Sequence, residues 1–391
     1  MQLINVSTKY YFYDFFKHIL KLRMNKKLNY VTYQTFPAQT ANSLQTISNI
    51  KYLIKYGVSV NLYFPLREKD STADINSLQE FYKFTESFNS FGILHPYPHG
   101  KIKFMPKLWF HLSHILWSRK LIKRRFKNDR DNYFFTRSDW IAYFLAKQGS
   151  KVVFECHQTS KVRNFVIKNI GMLENVKFIF LNENLQNNYK EVRQSIVLHN
   201  AADSGLLTNN TNKKENSIVF LGNTHRFNQS RGIGQIISWW SDNNLKENYS
   251  LEIIGGSTQD SDNLRNIINE LKLSNSIKVS QWVDRKVAAK KLSEATFGLL
   301  INTPDNDHSY LYTSPLKYFE YLYSGLSVVA VDFPSHRTLP INEKISFFEN
   351  GNKESFINSL KNSKNNKSLS EDEKHLITLD RRAEQLIKYI F

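Results

Sequence analysis

Short apolar runs of strand length alternate with longer runs of helical spacing along nearly the whole chain. That alternation leaves layered α/β architecture around parallel sheets as the arrangement that buries every run. The run Asn29–Phe36 (NYVTYQTF) is followed by a polar turn over Pro37–Asn42, a helical pattern from Ser43 to Tyr56, Gly57 as its stop, and a strand over Val58–Phe64. Strand, loop, helix and strand in this order open a Rossmann-like sheet. Tyr133–Thr136, Val152–Glu155, Phe178–Leu181 and Ser195–Leu198 read as further strands. The polar stretch Thr208–Ser217 (TNNTNKKENS) reads as a linker, after which a second unit starts. Its expected elements are a strand at Ile218–Leu221, a loop at Gly222–Arg231, a helix at Gly232–Asp242 and a strand at Ser250–Ile254 that ends in Gly255-Gly256. Ile277–Ser280, Gly298–Ile301 and Ser327–Val331 are the later strands, with helices at Arg285–Ala295 and Pro315–Ser324. At 391 residues two domains are expected. The expected division is 1–24 as an N-terminal extension, 25–207 and 208–370 as two Rossmann-like domains, and 371–391 as a closing helix. Two such domains predict a cleft, with ligands at the C-terminal ends of the strands.

Composition narrows the setting. Hydrophobic residues make up 41% and aromatics 14%, enough to fill two cores and to exclude a disordered chain. A single cysteine, Cys156, excludes a disulfide framework and fits a reducing compartment. No run of eighteen apolar residues occurs, and the basic, aromatic N-terminus lacks the apolar core of a secretory signal, so a cytoplasmic location is expected. Met24 stands just ahead of the first strand, so residues 1–23 read either as an amphipathic arm or as a misassigned start. The formal net charge of +18 calls for a polyanionic partner: nucleic acid, an anionic membrane face or a phosphate-rich substrate.

Three segments carry chemistry. In Thr313–Gly325 (TSPLKYFEYLYSG), Ser314 can cap a helix, Pro315 suits its first position and Gly325 its end. The free amides of such a first turn bind phosphate, and Glu320, two turns in, can accept hydrogen bonds from a ribose diol. An ordinary amphipathic helix with a solvated Glu reads the same way from spacing alone. The loop Gly222–Gly232 (GNTHRFNQSRG) is glycine-bounded and basic, as a diphosphate cradle is, although a solvated basic loop shares that pattern. The strand Val152–His157 (VVFECH) ends on a histidine whose position suits a cleft, where a structural histidine is the alternative. Zinc spacing, a Walker loop, G-x-G-x-x-G after the first strand and a serine elbow are all absent. Asp305-Asn306-Asp307 lies in a second-domain loop and reads as chance, so no metal is expected.

The series Ser314-Pro315-Leu316-Lys317 with Glu320, Tyr321 and Gly325, followed by Leu326–Ala330, resembles the donor-binding element of GT-B glycosyltransferases of family 4. The resemblance extends over most of the chain: Phe36–Gly57 is similar to the family's N-terminal loop and first helix, and Ile253–Gly256 and Gln281–Ala295 to second-domain elements. Asp380–Ala383 is similar to the closing helix that crosses back to the first domain. Membership implies Glu320 on the nucleotide ribose, with Ser314, Pro315, Leu316 and Lys317 at the diphosphate. It implies Gly222, Arg226 and Arg231 on the leaving phosphates, and His157, supported by Glu155, at the sugar or acceptor. Ala38, Thr40, Ala41 and Asn42 would line the acceptor side of the cleft, and His157, Arg231 and Glu320 would be the catalytic set. Two slots depart from the pattern. The family's second acid, eight residues before the ribose Glu, is Tyr312 here, so that Asp305 or Asp307, or hydroxyls and amides, would grip the sugar. Its Arg after the first loop glycine is Asn223, which leaves that role to Arg226. The implied reaction is transfer from a nucleoside-diphosphate sugar of UDP or GDP type with retention, without a required cofactor. Asn200–Asp203 (NAAD) resembles the domain junction and receives no chemistry.

Lys101–Lys127 holds nine Lys and Arg and no acid. Pro106 would start a helix with Leu108, Leu112, Ile115, Leu116 and Ile122 on one face, broadened by Trp109, Phe110 and Trp117. A basic helix with aromatics suits an anionic membrane surface, and a buried helix with a basic rim is the alternative. A lipid-linked or cell-surface glycan acceptor, handled at the inner face of the cytoplasmic membrane, is the expectation that follows. A sugar-nucleotide epimerase or hydrolase of the same fold, and a basic nucleic-acid-binding protein, are the rival readings. No nucleic-acid module is recognisable, so no nucleic-acid partner is expected.

Overall fold

The computed structural model describes residues 26–98, 104–208, 212–226, 229–363 and 369–391. The expected extension 1–24 lies outside them, as do residues 101–103 of the basic segment, 209–211 of the linker and the side chain of Arg226. The chain divides into two compact units. One runs up to Glu155 and adds Val162–Phe178 and Leu386–Phe391; the other comprises Cys156–Lys161 and Ile179–Gln385.

The first sheet contains β1 (Lys27–Val31), β2 (Ser59–Leu66), β3 (Asn89–Leu94), β4 (Tyr133–Thr136), β5 (Lys151–Cys156), β6 (Val176–Phe180) and β7 (Ser195–Val197). Their order is β3-β2-β1-β4-β5-β6-β7, and β1 pairs in parallel with both β2 and β4. Register across β1, β2 and β3 is held by a ladder of side-chain amides as well as by apolar pattern. Asn61 donates to Asn29 Oδ1 (2.9 Å) and Asn89 donates to Asn61 Oδ1 (2.8 Å), and the three asparagines are register partners. A one-residue slip would break both bonds and turn every side chain over.

The second sheet contains β8 (Ser217–Leu221), β11 (Ser250–Ile254), β12 (Ile277–Ser280), β13 (Phe297–Leu300), β14 (Ser327–Val331) and β15 (Ile345–Phe348). Between β8 and β11 a short antiparallel hairpin forms from β9 (His225–Arg226) and β10 (Gln229–Ser230). The order β12-β11-β8-β13-β14-β15 is the doubly wound one, in which the chain reverses direction between β8 and β13. These strands are apolar on both faces because both faces are covered. Ile218 and Phe220 of β8 pack with Ile236, Ile237 and Trp240, while Val219 packs with Tyr318, Phe319 and Leu322.

Four expectations change. The loop expected at Gly222–Arg231 contains the β9–β10 hairpin. The helix expected at Gly232–Asp242 runs Ile233–Trp239, and a second, Asn243–Asn248, is capped by Asp242. The linker is anchored where it is described: Lys214 N–H donates to Glu294 O (2.7 Å), and Lys213 Nζ donates to Ala295 O (3.0 Å) and Ser324 O (2.9 Å). The basic helix Pro106–Arg125 has two faces. Trp117, Leu121 and Ile122 are buried together with Ser113, His114 and Ser118, while Leu108, Leu112 and Leu116 are exposed. The expected apolar face is therefore split, because its inner stripe is chosen by aromatic and polar neighbours around Tyr33.

Candidate functional site

The two strands at the reversal of the second sheet, β8 and β13, pair over only two residues, Phe297↔Ile218 and Gly298↔Val219, and then separate. The main chain beyond that point needs a partner, and Tyr321 supplies it. Leu221 N–H donates to Tyr321 Oη (2.8 Å), which in turn stands 3.4 Å from Leu299 O. The ring reaches this position only because β13 carries Gly298, where a Cβ would come within 2.4 Å of the tyrosine ring. Tyr321 belongs to the helix Leu316–Tyr323, so the same packing fixes the helix above the gap.

Two loops leave the sheet here. After β8 the chain passes Gly222, whose N–H donates to Ile254 O (2.8 Å). Gly255 lies so near it that a Cβ would sit 2.9 Å from Gly222 O, and its φ of +116° also requires glycine. A Cβ built on Gly222 would lie 3.8 Å from Lys317 Nζ and 3.9 Å from Arg231 Nη1. Two cationic ends thus converge on one half-buried stretch of main chain. Lys317 is buried, with its ammonium 3.9 Å from the centre of the Phe220 ring. Arg231 is held by its N–H to Thr224 O (2.9 Å), and burial pulls its pKa below the ordinary value. Its Nε has no hydrogen-bond partner among the described residues. A guanidinium stays charged when buried, and an anion beside it would offset the solvation it loses.

Glu320 follows Lys317 by three positions, on the same side of the helix. Burial raises its carboxyl above the usual carboxylate range; Arg285 opposes the rise, Asp203 adds to it and Lys317 opposes it. Arg285 itself stands 3.9 Å from Asp203. Asp203 and Arg285 drew no chemistry from sequence; they reach Glu320 only through long-range packing.

The start of this helix differs from the expected cap. Pro315, with φ −74° and ψ 124°, occupies the cap position, Leu316 is the first helical residue, and no side chain caps the first turn. Ser314 is occupied elsewhere: its Oγ accepts from Asn200 N–H (3.1 Å) and its carbonyl accepts from the Asn200 amide. In the loop between β13 and the helix, Tyr312 is buried, which raises its hydroxyl pKa. The Asp305 carboxylate accepts from Thr303 Oγ1 (2.8 Å), and Asn306 donates to Gln229 Oε1 (2.6 Å), joining this loop to the β9–β10 hairpin. Among the described residues no group of three His, Cys, Asp or Glu is placed to hold a metal.

The residues expected on the acceptor side belong elsewhere in the chain. Thr40 caps the helix Ala41–Lys55, accepting from Ser43 N–H (3.2 Å), and Ala41 and Asn42 open that helix. Ala38 exchanges two hydrogen bonds with Tyr82 Oη, at 2.7 and 2.9 Å. Glu155 is fully buried at the end of β5, 3.8 Å from Arg137. His157 follows that strand, in a segment that belongs with the second unit. Gly222, Arg231, Lys317 and Glu320 are therefore brought together by the second sheet and its first following helices. Ala38, Thr40, Ala41, Asn42 and Glu155 form part of the first unit.

A histidine and aromatic cluster in the first unit went unnoticed in sequence. Tyr33 Oη lies 2.7 Å from His95 Nε2, its ring stacks on His114 at 4.0 Å, and Arg67 lies 4.6 Å from the ring centre. Burial raises the Tyr33 hydroxyl to about 12, a rise that Arg67 opposes. The four residues are scattered between positions 33 and 114, so no local pattern announces them.

No protein-family model matches the chain, and no curated protein matches it in sequence. Solved structures do match. A sucrose-phosphate synthase from Thermosynechococcus elongatus has a TM-score of 0.69 at 13% identity, over 93% of this chain and 98% of that one. Anabaena HepE, solved in complex with UDP and glucose, gives 0.59 at 11%, over 93% and 99%. WaaG, a glycosyltransferase involved in lipopolysaccharide biosynthesis, gives 0.60 at 13%, over 93% and 99%. The chain has the GT-B fold: two Rossmann-like α/β domains built on parallel sheets.

Proposed function

We propose that the chain is a glycosyltransferase that moves a sugar from a nucleoside-diphosphate sugar of UDP or GDP type to an acceptor hydroxyl, with retention of configuration. The observation that carries this reading is the convergence of Arg231 and Lys317 on Gly222, ahead of Glu320, at the chain reversal of the second sheet. When the sugar–phosphate bond breaks, negative charge grows on the leaving diphosphate, and fixed cations in a partly dry site lower that barrier. Arg231, Lys317 and the uncapped first turn of the Leu316 helix supply them; Arg226 joins as a further cation. With the charge met by side chains, no metal is required of the reaction. Glu320 holds the ribose, and His157 contacts the sugar or acceptor. The leaving phosphate takes the proton of the acceptor hydroxyl on the face it departs from. In this reading residues 208–370 bind the donor, 25–207 the acceptor, and 371–391 close the fold. HepE, solved with UDP and glucose, supports a nucleotide-sugar donor.

The test is a thermal-shift panel of UDP-, GDP-, ADP- and CMP-sugars on the wild type and Glu320→Ala. One donor base is expected to raise the midpoint by several degrees, and the substitution to abolish that rise. No response to any donor, or an unchanged response in Glu320→Ala, removes the assignment.

The acceptor reading is a lipid-linked or cell-surface glycan, met at the inner face of the cytoplasmic membrane. Leu108, Leu112 and Leu116 expose one stripe of a helix that also carries Lys107, Arg119, Lys123 and Arg124. Such a helix lies in an anionic interface. WaaG, with its part in lipopolysaccharide biosynthesis, supports the surface-glycan direction. No helix among the described residues is long and apolar enough to cross a membrane. The triple change Leu108, Leu112 and Leu116 to Ser is expected to lower sedimentation with phosphatidylglycerol vesicles about tenfold, and an unchanged pellet would refute the contact.

A further inference from the structure

The segment His199–Ser204, which sequence left without chemistry, lies between the start of the Leu316–Tyr323 helix and the last two helices, Glu371–Leu376 and Leu379–Ile390. On one side Asn200 holds Ser314 twice, through its main-chain N–H to Oγ (3.1 Å) and its side-chain amide to the carbonyl. His199 Nδ1 stands 3.4 Å from the same hydroxyl, and its Nε2 is 3.5 Å from Glu183 Oε2. On the other side Arg382 Nε donates to His199 O (2.9 Å) and Ser204 Oγ donates to Asp380 Oδ2 (2.9 Å). Ala202 N–H donates to Ile377 O (2.8 Å), and Leu379 N–H donates to Ala202 O (2.9 Å). All of these residues belong to the second unit, and Asn200 and Ser314 are both buried.

We propose that Asn200 is a positioning residue for recognition of the diphosphate, acting through Ser314 on the amides that follow Pro315. The inference rests on reading that helix turn as the phosphate site. The turn has no cap of its own, so its orientation is set by the peptide between Ser314 and Pro315. Two bonds from one asparagine, to the hydroxyl and to the carbonyl of that peptide, fix its plane. Arg382 and the pairing of Ala202 with Ile377 and Leu379 hold the asparagine in turn. The direction of the Leu316 and Lys317 N–H groups follows from that plane, and misdirected amides lose charge-assisted bonds to phosphate. Glu320, one turn further on, is held by helix packing instead, so ribose recognition does not depend on Asn200.

This separation makes the proposal testable against mere damage. Dissociation constants for uridine, UDP, guanosine and GDP are measured by ligand-observed NMR on wild type, Asn200→Ala, Asn200→Gln, Ser314→Ala and Glu320→Ala. Asn200→Ala is expected to weaken the preferred diphosphate about tenfold and leave its nucleoside unchanged. Asn200→Gln, which keeps the amide donor, is expected to recover part of the loss, and Glu320→Ala to weaken nucleoside and diphosphate alike. Ser314→Ala is expected to repeat the selective loss, and it decides the matter if Asn200→Ala does not fold. An equal loss of nucleoside and diphosphate in Asn200→Ala and Ser314→Ala, or no loss in either, overturns the proposal. A wild type that binds none of the four ligands overturns the donor-site reading itself, and the positioning role with it.

Discussion

Each sheet has a cation near the place where its chain reverses, and the two are treated in opposite ways. In the first sheet the reversal falls between β1 and β4, and Tyr33 N–H bridges the two exits by donating to Ser138 Oγ (3.1 Å). Arg137, just after β4, is 3.8 Å from fully buried Glu155 and donates to Gln45 Oε1 (3.0 Å). In the second sheet Arg231 has an Nε without a hydrogen-bond partner among the described residues, with Lys317 as a second cation beside Gly222. The two sheets share one order over six strands, to which the first adds β7, so strand order says little about chemistry; the side chains that meet each cation decide it. A cation with its own buried carboxylate is part of the scaffold, and the one without it is the cation the proposed donor site would use.

The sharpest way to break this contrast is to remove each arginine in turn. Arg137→Ala would leave Glu155 buried without that partner and is expected to cost about 3 kcal/mol of stability, seen as a lower denaturant midpoint without ligand. Arg231→Ala is expected to leave ligand-free stability unchanged or slightly raised. It should weaken nucleoside-diphosphate binding by about 2 kcal/mol, roughly thirtyfold in calorimetric titration. If Arg231→Ala destabilises the free protein as much as Arg137→Ala does, the two reversals are alike and the contrast is wrong.

A smaller effect concerns acid. His336 is fully buried, with Nδ1 2.8 Å from Val331 O, and burial, aided by the Lys317 charge, depresses its pKa from 6.5 to about 4. The unfolded chain therefore binds the extra proton first, and stability contributed by the neutral ring is lost as pH falls from 6.5 through 4. Asn at this position keeps a donor near the Nδ1 site without the titration. His336→Asn is expected to flatten the fall in unfolding free energy across that window, read from denaturant midpoints at each pH. A parallel slope in both proteins would show that burial does not hold His336 neutral across that window.

Much of the fold was legible because its signals are local. The alternation of apolar runs gave every strand of both sheets except β3 and β15, and glycine spacing, charge and helical period singled out Gly222, Arg231 and Glu320 as candidates. What escaped depends on distant neighbours. Ser314 was expected to cap its own helix, a sound local reading, but a bond from Asn200, 114 positions earlier, takes its hydroxyl. The apolar face of Pro106–Arg125 was misjudged because Tyr33 draws His114 and Trp117 inward, against hydropathy. Asp203 and Arg285 become visible near Glu320 only once the chain is folded.

The fit of Tyr321 over Gly298 bears on any attempt to redesign this molecule. A library that varies the helix Leu316–Tyr323 to change donor preference would normally treat each position as independent. Here residue 321 and residue 298 behave as one choice, since a larger residue on β13 removes the room for the ring, and a smaller side chain at 321 strips Leu221 N–H of its acceptor. Under the proposed donor site, positions 316, 317 and 320 are the dials for an engineer, and the 298–321 pair is the bearing on which they turn.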